Sequence, residues 1–282
     1  MISMKGRVAL VTGGGAGIGR ATVEAFANLG ANVVVAEMLA DRAKDTEAAL
    51  AKIGGDHLVV VADVRQAADV KSLMGQIDKK FGKLDVLMNN VGDFMGVVKP
   101  FEACTDEDID TLYQENLRQI FTVTREGIPL LRKSKGDRSI IAVSSIEAFR
   151  GIPSGTVYSA FKHGITGFVK SLAVELAPEG IRVNAIAPET TDTSQVPILA
   201  MIAPQYKDHI PRWIPLGRFG RPSDGAGCAV FLATELSAWV TGTTVNMDGG
   251  ALAAAGWYRT PENQWTNVPV VTAGGIAWVP EG

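Results

Sequence analysis

The chain alternates between short apolar runs and longer stretches in which apolar residues recur every three or four positions. The runs, such as VVV at 33–35 and LVVV at 58–61, are rich in β-branched residues and contain no polar alternation. Strands covered on both faces have this composition, and they form parallel sheets between layers of helices. We predict strands at residues 7–11, 32–36, 58–62, 84–88, 139–143, 182–187 and 244–247.

The stretches between these runs have helical periodicity. They predict helices at residues 17–29, 41–53, 66–81, 106–133, 157–177 and 223–234. Strand–helix alternation with right-handed crossovers predicts an α/β, doubly wound (Rossmann) fold: a parallel seven-stranded sheet with helices on both faces. We predict one catalytic domain over residues 1–250, including a lid at 189–220 that breaks the alternation, and a carboxyl-terminal extension at 251–282.

Composition narrows the class of protein. The chain has 282 residues, of which 46% are hydrophobic, enough for a large core. Its net charge of −3 argues against a nucleic-acid partner, which normally requires a basic excess. Two cysteines are too few for a disulfide framework, and the apolar run near the amino terminus is too short for a signal peptide or a membrane span. We expect a cytoplasmic protein without a membrane partner. The three histidines lack metal-ligand spacing, so no metal is expected.

Five glycines fall within TGGGAGIG, residues 12–19, directly after the first predicted strand. Glycine allows a tight bend and lets backbone N–H groups approach an anion. The spacing of Gly13, Gly17 and Gly19 differs from the common G-x-G-x-x-G pattern. On this segment alone, a phosphate-binding turn and a plain tight turn both remain open.

Glu37 ends the second predicted strand. An acid at this place can accept both ribose hydroxyls of an adenosine and repels a 2′-phosphate. No arginine or lysine lies in the glycine turn or directly after Glu37, which favours NAD over NADP. The alternative is a solvated acid at a strand end.

Tyr158 and Lys162 form a Y-x-x-x-K pair on one face of a predicted helix. A free tyrosine has a pKa near ~10, and a neighbouring ammonium group is expected to lower it, which would make the phenol a usable acid or base. Ser145 follows a predicted strand at the edge where such sheets bind ligands, with Ser144 as a competitor. Asn116 lies inside a predicted helix, where it can hold a water molecule or bond a backbone carbonyl.

With these residues in place, residues 4–250 resemble the short-chain dehydrogenase/reductase family. The matching motifs are the turn at 12–19, Asp63 in ADV, NNVG at 89–92, Asn116, Ser145, the Tyr158–Lys162 pair, NAIAP at 184–188, Thr193, and the VTG…DGG ending at 240–250. The resemblance implies that Tyr158 exchanges a proton with an alcohol or ketone, while Ser145 steadies the substrate oxygen. It also implies that Lys162 lowers the tyrosine pKa and binds the nicotinamide ribose, and that Asn116 holds a water linking Lys162 to solvent.

The resemblance implies a nicotinamide dinucleotide, and because Glu37 favours NAD over NADP, we predict NAD as the cofactor. The implied cofactor-binding residues are Gly13, Gly15, Gly17, Ile18, Gly19, Glu37, Asp63, Val64, Asn90, Val91, Gly92, Tyr158, Lys162, Pro188, Thr191 and Thr193. It further implies a homotetramer.

Three residues depart from the family pattern. Glu189 follows Pro188 where the family usually has glycine, Val91 replaces an alanine, and Glu147 stands at a small or apolar pocket position. The two acids indicate either a polar or cationic group on the substrate, or residues that face solvent or pair with Arg150 or Arg212.

Large apolar residues in the lid favour a hydrophobic secondary alcohol or ketone as substrate, unless they only pack the lid down. They are Ile198, Leu199, Met201, Ile202, Tyr206, Trp213 and Ile214. The extension, with Trp257, Trp265 and Trp278, is expected to pack on the core or a neighbouring subunit. The leading hypothesis is an NAD-dependent short-chain alcohol dehydrogenase/ketoreductase. The alternatives are an NADP-linked 3-oxoacyl-type reductase and a catalytically silent nucleotide-binding scaffold.

Overall fold

A computed structural model describes residues 2–202 and 204–256 (the side chains of 205 and 206 excepted), and the backbone at 258–259 and 265–266. Its main sheet has seven parallel strands in the order β3-β2-β1-β4-β5-β6-β7. They are β1 (Val8–Thr12), β2 (Asn32–Glu37), β3 (Leu58–Val61), β4 (Val86–Asn89), β5 (Arg138–Val143), β6 (Ile181–Pro188) and β7 (Thr244–Met247). The predicted fold class is confirmed. A separate short pair consists of β8 (Tyr258–Arg259) and β9 (Trp265–Thr266).

The helices lie between the strands as expected. They are α1 (Gly17–Asn28), α2 (Ala40–Ile53), α3 (Ala67–Phe81), α4 (Asp106–Tyr113), α5 (Gln119–Lys133), α6 (Thr156–Leu176), α7 (Ile198–Met201), α8 (Ile210–Trp213) and α9 (Pro222–Ala233). The single helix predicted at 106–133 is divided, because a π-helical turn (Gln114–Arg118) separates α4 from α5. Such turns insert an extra residue into a helix and are frequent at functional sites.

Two hydrophobic cores cover the two faces of the sheet. Consecutive residues of β1 alternate between them: Leu10 joins the core made with α3, α5 and α6, and Val11 joins the core made with α1 and α9. All five residues of β1 are buried, which explains why this strand shows no polar alternation in the sequence.

The lid segment has a small core of its own, which unites Ile198, Ile210, Ile214 and Phe219 with Val196, Ile202 and Trp213. Most of the apolar residues that suggested a hydrophobic substrate therefore pack against one another. Packing within the lid therefore explains these residues, without the need for a hydrophobic substrate.

None of the described helices has the length and apolar character needed to cross a membrane. The predicted packing of the extension at 251–282, including Trp257 and Trp278, falls almost entirely outside the described residues.

Candidate active site

A cleft of about 520 Å³ opens at the carboxyl ends of the strands. It gathers most of the predicted cofactor-binding residues: Gly13, Gly17, Ile18, Glu37, Asp63, Val64, Asn90, Val91, Gly92, Tyr158, Lys162, Pro188, Thr191 and Thr193. Ser145 also lines it, whereas Gly15, Gly19 and Asn116 are not among its lining residues. Residues distant in sequence thus converge where open α/β sheets bind their ligands.

The glycine turn leaves little room for a side chain at Gly13 and none at Gly19. Gly13 adopts a φ of 62°, which favours glycine, and Asn90 Nδ2 donates to its carbonyl oxygen at 3.2 Å. A Cβ at Gly19 would collide with that same carbonyl oxygen. A tight backbone cradle leading into α1 fits a nucleotide phosphate at a helix amino terminus.

Glu37 is buried at one end of the cleft. Its carboxylate accepts the Gly15 N–H at 2.9 Å and the Leu39 N–H at 3.0 Å. It is therefore a fixed acceptor rather than a solvated acid.

Two arginines share this end of the cleft, and sequence reasoning missed both. Arg65 donates two hydrogen bonds to the carboxylate of Asp63, at 2.8 and 2.9 Å, and this hydrogen bonding lowers the pKa of Asp63. Arg42 forms no ion pair with any residue in the described part of the chain. Arg42 lies in the first turn of α2, beyond the positions directly after Glu37 where a basic residue was sought.

Tyr158 is buried at the other end, within hydrogen-bonding reach of Ser145. Burial raises the pKa of Tyr158, the Ser145 hydrogen bond opposes that rise, and the charges of Glu147 and Asp93 add to it. Desolvation therefore dominates the net shift of the tyrosine pKa, and the expected lowering by Lys162 stays a prediction. Lys162 Nζ lies 5.3 Å from the centre of the phenol ring. Burial lowers the pKa of Lys162 itself to about 8.

The two candidate serines have different tasks. Ser144 Oγ donates to the backbone carbonyl of Lys162 at 3.0 Å, so it serves the structure of α6. Ser145 Oγ accepts the Glu147 N–H at 3.2 Å, and it lines the cleft within hydrogen-bonding reach of Tyr158. The geometry favours Ser145 as the residue facing the reaction.

Phe94 was not anticipated at this site. Its ring stacks on that of Tyr158, with ring centres 3.9 Å apart and planes 21° from parallel. It follows the NNVG segment, and its position over the tyrosine gives this end of the cleft an apolar cover.

Asn116 projects from the π-helical turn and bonds the backbone of residue 93 in both directions. Its Nδ2 donates to the Asp93 carbonyl at 2.7 Å, and its Oδ1 accepts the Asp93 N–H at 3.1 Å. The backbone-bonding alternative for Asn116 is the one observed. Gln119, one turn further on, donates to the Val91 carbonyl at 3.1 Å, so both amides hold the loop after β4.

Gly92 lies between the side chains of Lys162 and Asn116. A Cβ there would come within 2.6 Å of Lys162 Nζ and 3.0 Å of Asn116 Oδ1. The absence of a side chain at this position lets the lysine reach the cleft.

The two acids that depart from the family pattern are joined by an arginine. Arg150 Nη2 donates to Glu147 and to Glu189, each at 2.9 Å. Ion pairing with Arg150, one of the alternatives raised by the sequence, is therefore observed. Among the described residues, no group of three His, Cys, Asp or Glu side chains could hold a metal ion; the absence of a metal stays a prediction.

Comparison with known proteins agrees with this geometry. The family model described as "Enoyl-(Acyl carrier protein) reductase", of the short-chain alcohol dehydrogenase type, matches residues 13–251. The chain belongs to the short-chain dehydrogenase/reductase family. It is an oxidoreductase of that family with a Rossmann-like sheet, and the family binds a nicotinamide cofactor.

Its relatives within the short-chain dehydrogenase/reductase family have different substrates. A 3-oxoacyl-[acyl-carrier-protein] reductase from Thermotoga maritima is 34% identical over 88% of this chain and 98% of its own length. A 3beta-hydroxysteroid dehydrogenase from Mediterraneibacter gnavus is 35% identical over 86% of this chain and 94% of its own. The structure also resembles a 7 alpha-hydroxysteroid dehydrogenase solved with NADH and 7-oxo glycochenodeoxycholic acid, with a TM-score of 0.81, 30% identity, and coverage of 88% of this chain and 95% of that one.

Proposed function

We propose that the chain is an NAD(H)-dependent oxidoreductase that interconverts a hydrophobic secondary alcohol and its ketone by hydride transfer. One observation carries the proposal: Ser145, Tyr158 and Lys162 line the same cleft as the glycine turn and Glu37. The groups needed for proton transfer and those suited to an adenosine therefore face one continuous space.

The residues fit a dinucleotide in two places. The turn at Gly13 and Gly19 offers a cradle that a Cβ would fill, and the Glu37 carboxylate offers a fixed acceptor for ribose hydroxyls. When bound, a nicotinamide group would accept or supply the hydride.

Tyr158 exchanges the substrate's hydroxyl proton in this proposal. Its raised pKa keeps the phenol protonated, ready to donate to a ketone oxygen held by the Ser145 hydroxyl. Lys162 provides a positive charge beside the ring, and Asn116 fixes the loop whose Gly92 leaves room for the lysine. Phe94, Met95, Ile152 and Val196 provide apolar surface at this end, which supports a hydrophobic substrate.

Hydride transfer is tested by absorbance at 340 nm, with secondary alcohols and NAD⁺ or NADP⁺, and with ketones and either reduced cofactor. We expect turnover with NAD(H). Turnover only with NADPH would contradict the cofactor choice, and clear NAD binding without any turnover would favour the silent scaffold.

Replacing Tyr158 by Phe tests the proposed role of this residue as the general acid. Loss of general acid catalysis is expected to reduce kcat by roughly 10²–10⁴-fold while the dissociation constant for NADH changes little. Tyr113→Phe is the matched control, because Tyr113 contacts Phe161 and does not line the cleft. Retained turnover in Tyr158→Phe would refute the role of this phenol.

An NADP-linked 3-oxoacyl reductase is the second candidate function. Two observations favour it: Arg42 lines the cleft without an ion-pair partner among the described residues, and the relative from Thermotoga maritima is named a 3-oxoacyl-[acyl-carrier-protein] reductase. Assays with NADPH and a 3-oxoacyl thioester would distinguish it from the first.

A homotetramer and a cytoplasmic location are also proposed. Trp239 is 99% exposed and precedes β7, which is an edge strand of the described sheet. An exposed tryptophan beside an open strand edge supports self-association. Cys104 and Cys228 are both free thiols, which suits a reducing compartment.

A further inference from the structure

Three ionised side chains form a cluster at the end of the cleft that holds Tyr158. This acid–arginine cluster consists of Glu147, Arg150 and Glu189. One guanidinium nitrogen of Arg150 lies 2.9 Å from a carboxylate oxygen of each glutamate. The glutamates are only 8% and 6% exposed. Because one cation serves two carboxylates, the cluster has a net charge of −1.

Residues of the cluster lie on both walls of the end of the cleft that holds Tyr158, which we call the reacting end. On one wall, Glu147 lies in the turn after Ser145, donates its N–H to Ser145 Oγ, and accepts from Ser159 Oγ at 2.8 Å through its carbonyl. On the other wall, Glu189 directly follows Pro188, and its carboxylate accepts the Thr190 N–H at 2.7 Å. Both glutamates line the cleft together with Tyr158 and Lys162.

The charged residues near the cluster do not cancel its net negative charge. Asp93 also lines this end, and Lys162 is the second cation there. Three carboxylates (Asp93, Glu147, Glu189) therefore face two cations (Arg150, Lys162), which again leaves one negative charge. Further back, Glu115 and Asp63 share the single cation of Arg65.

The net negative charge of the cluster acts on the reacting end of the cleft. Burial is the main cause of the raised pKa of Tyr158, and the charges of Glu147 and Asp93 add to it, which agrees with a negative potential at this end. In a buried site such interactions are screened much less than at the surface.

We propose that the acid–arginine cluster is a specificity-determining element that favours the oxidised nicotinamide ring over the reduced one. The inference rests on the proposed dinucleotide function. The oxidised ring bears a positive charge and the reduced ring is neutral, while the rest of the dinucleotide is identical. A net negative wall at this end therefore stabilises NAD⁺ binding without a matching effect on NADH.

The test compares dissociation constants for the two forms, measured from NADH fluorescence and from competition by NAD⁺. Glu189→Gln and Glu147→Gln keep the shape and an acceptor for Arg150 while each removes one negative charge. In each single variant, we expect the ratio of the NADH constant to the NAD⁺ constant to fall by roughly fivefold or more, the order expected for one unit charge in a partly buried site. The double variant, whose cluster has a charge of +1, is expected to lower the ratio further than either single change.

Glu179→Gln is the matched control. Glu179 also pairs with an arginine, Arg132, at 2.6 Å, but it precedes β6 whereas Glu189 follows it. The control is expected to leave the ratio unchanged. A purely structural role for the cluster would weaken both forms alike.

Unchanged ratios in variants that bind both forms would overturn this inference alone. A wild-type protein that binds neither form would overturn the proposed function as well, so the two failures are distinguishable.

Discussion

Lys162 illustrates at the residue scale how a group proposed to be catalytic can lower the stability of the fold. Burial depresses its pKa from 10.5 to about 8, so the folded protein holds a costly charge below pH 8. That cost is fully present below pH 8, diminishes as the pH rises, and is gone above 10.5, where the lysine is neutral in both states.

Lys162→Met should therefore raise the free energy of unfolding at pH 7 by roughly 1–3 kcal/mol, while abolishing turnover. The gain should shrink between pH 8 and 10. Urea unfolding at several pH values measures it, and Lys170→Met, an exposed change on α6, is the control. A gain that does not vary with pH would contradict the electrostatic origin.

Glu37 and Arg42 set opposing charges at the nucleotide end of the cleft. Glu37→Ser removes the carboxylate that opposes a 2′-phosphate and leaves Arg42 in place. We expect the dissociation constant for NADP⁺ to fall by roughly tenfold and that for NAD⁺ to rise. The Glu37→Ser/Arg42→Ala double variant should lose the gain for NADP⁺. Tight NADP⁺ binding by the wild type would instead support the second candidate function.

At the element scale, the strands could be predicted because burial on both faces leaves long β-branched runs. β2, for example, is buried over five of its six residues, and its predicted end differs by one residue. The π-helical turn could not be predicted, since its residues continue the helical period of α4 and α5. Its one trace in the sequence is Asn116, a poor helix residue whose amide bonds a neighbouring loop.

At the site, the residues that could be predicted were those that belong to a recognisable local motif. Tyr158, Lys162 and Ser145 were found from local spacing, which a helix and a strand end preserve. Arg42 lies in the first turn of α2, and Phe94 lies just beyond the NNVG segment, and no local pattern marks either as a cleft residue.

The loop after β4 can be tested through its glycine. Gly92→Ala would place a Cβ 2.6 Å from Lys162 Nζ, so the lysine must move. We expect kcat to fall by roughly tenfold or more, with the fold retained. Gly75→Ala in α3, where nothing lies within 4 Å, is the control and should stabilise the protein by roughly 0.5–1 kcal/mol. Equal activity in both variants would contradict the proposed role of Gly92.

For the whole molecule, the exposed surface near β7 bears on assembly. Trp239→Glu places a charge where a tryptophan is 99% exposed, and we expect it to lower the mass of the proposed homotetramer in light scattering. Ser72→Glu on the exposed side of α3 is the control. A wild-type protein that is monomeric would refute the assembly, and an unchanged tetramer in Trp239→Glu would exclude this tryptophan from its contacts.

The two ends of the cleft are built from different segments of the chain. Its proposed nucleotide end is built from residues 13–65, at the ends of β1 to β3, and most of its proposed reacting end from residues 143–196, around β5 and β6. Changes that alter the choice of dinucleotide and changes that alter the compound oxidised or reduced therefore fall in different stretches of the gene. Each property can diverge among descendants of this protein, or be recombined between them, without rebuilding the other.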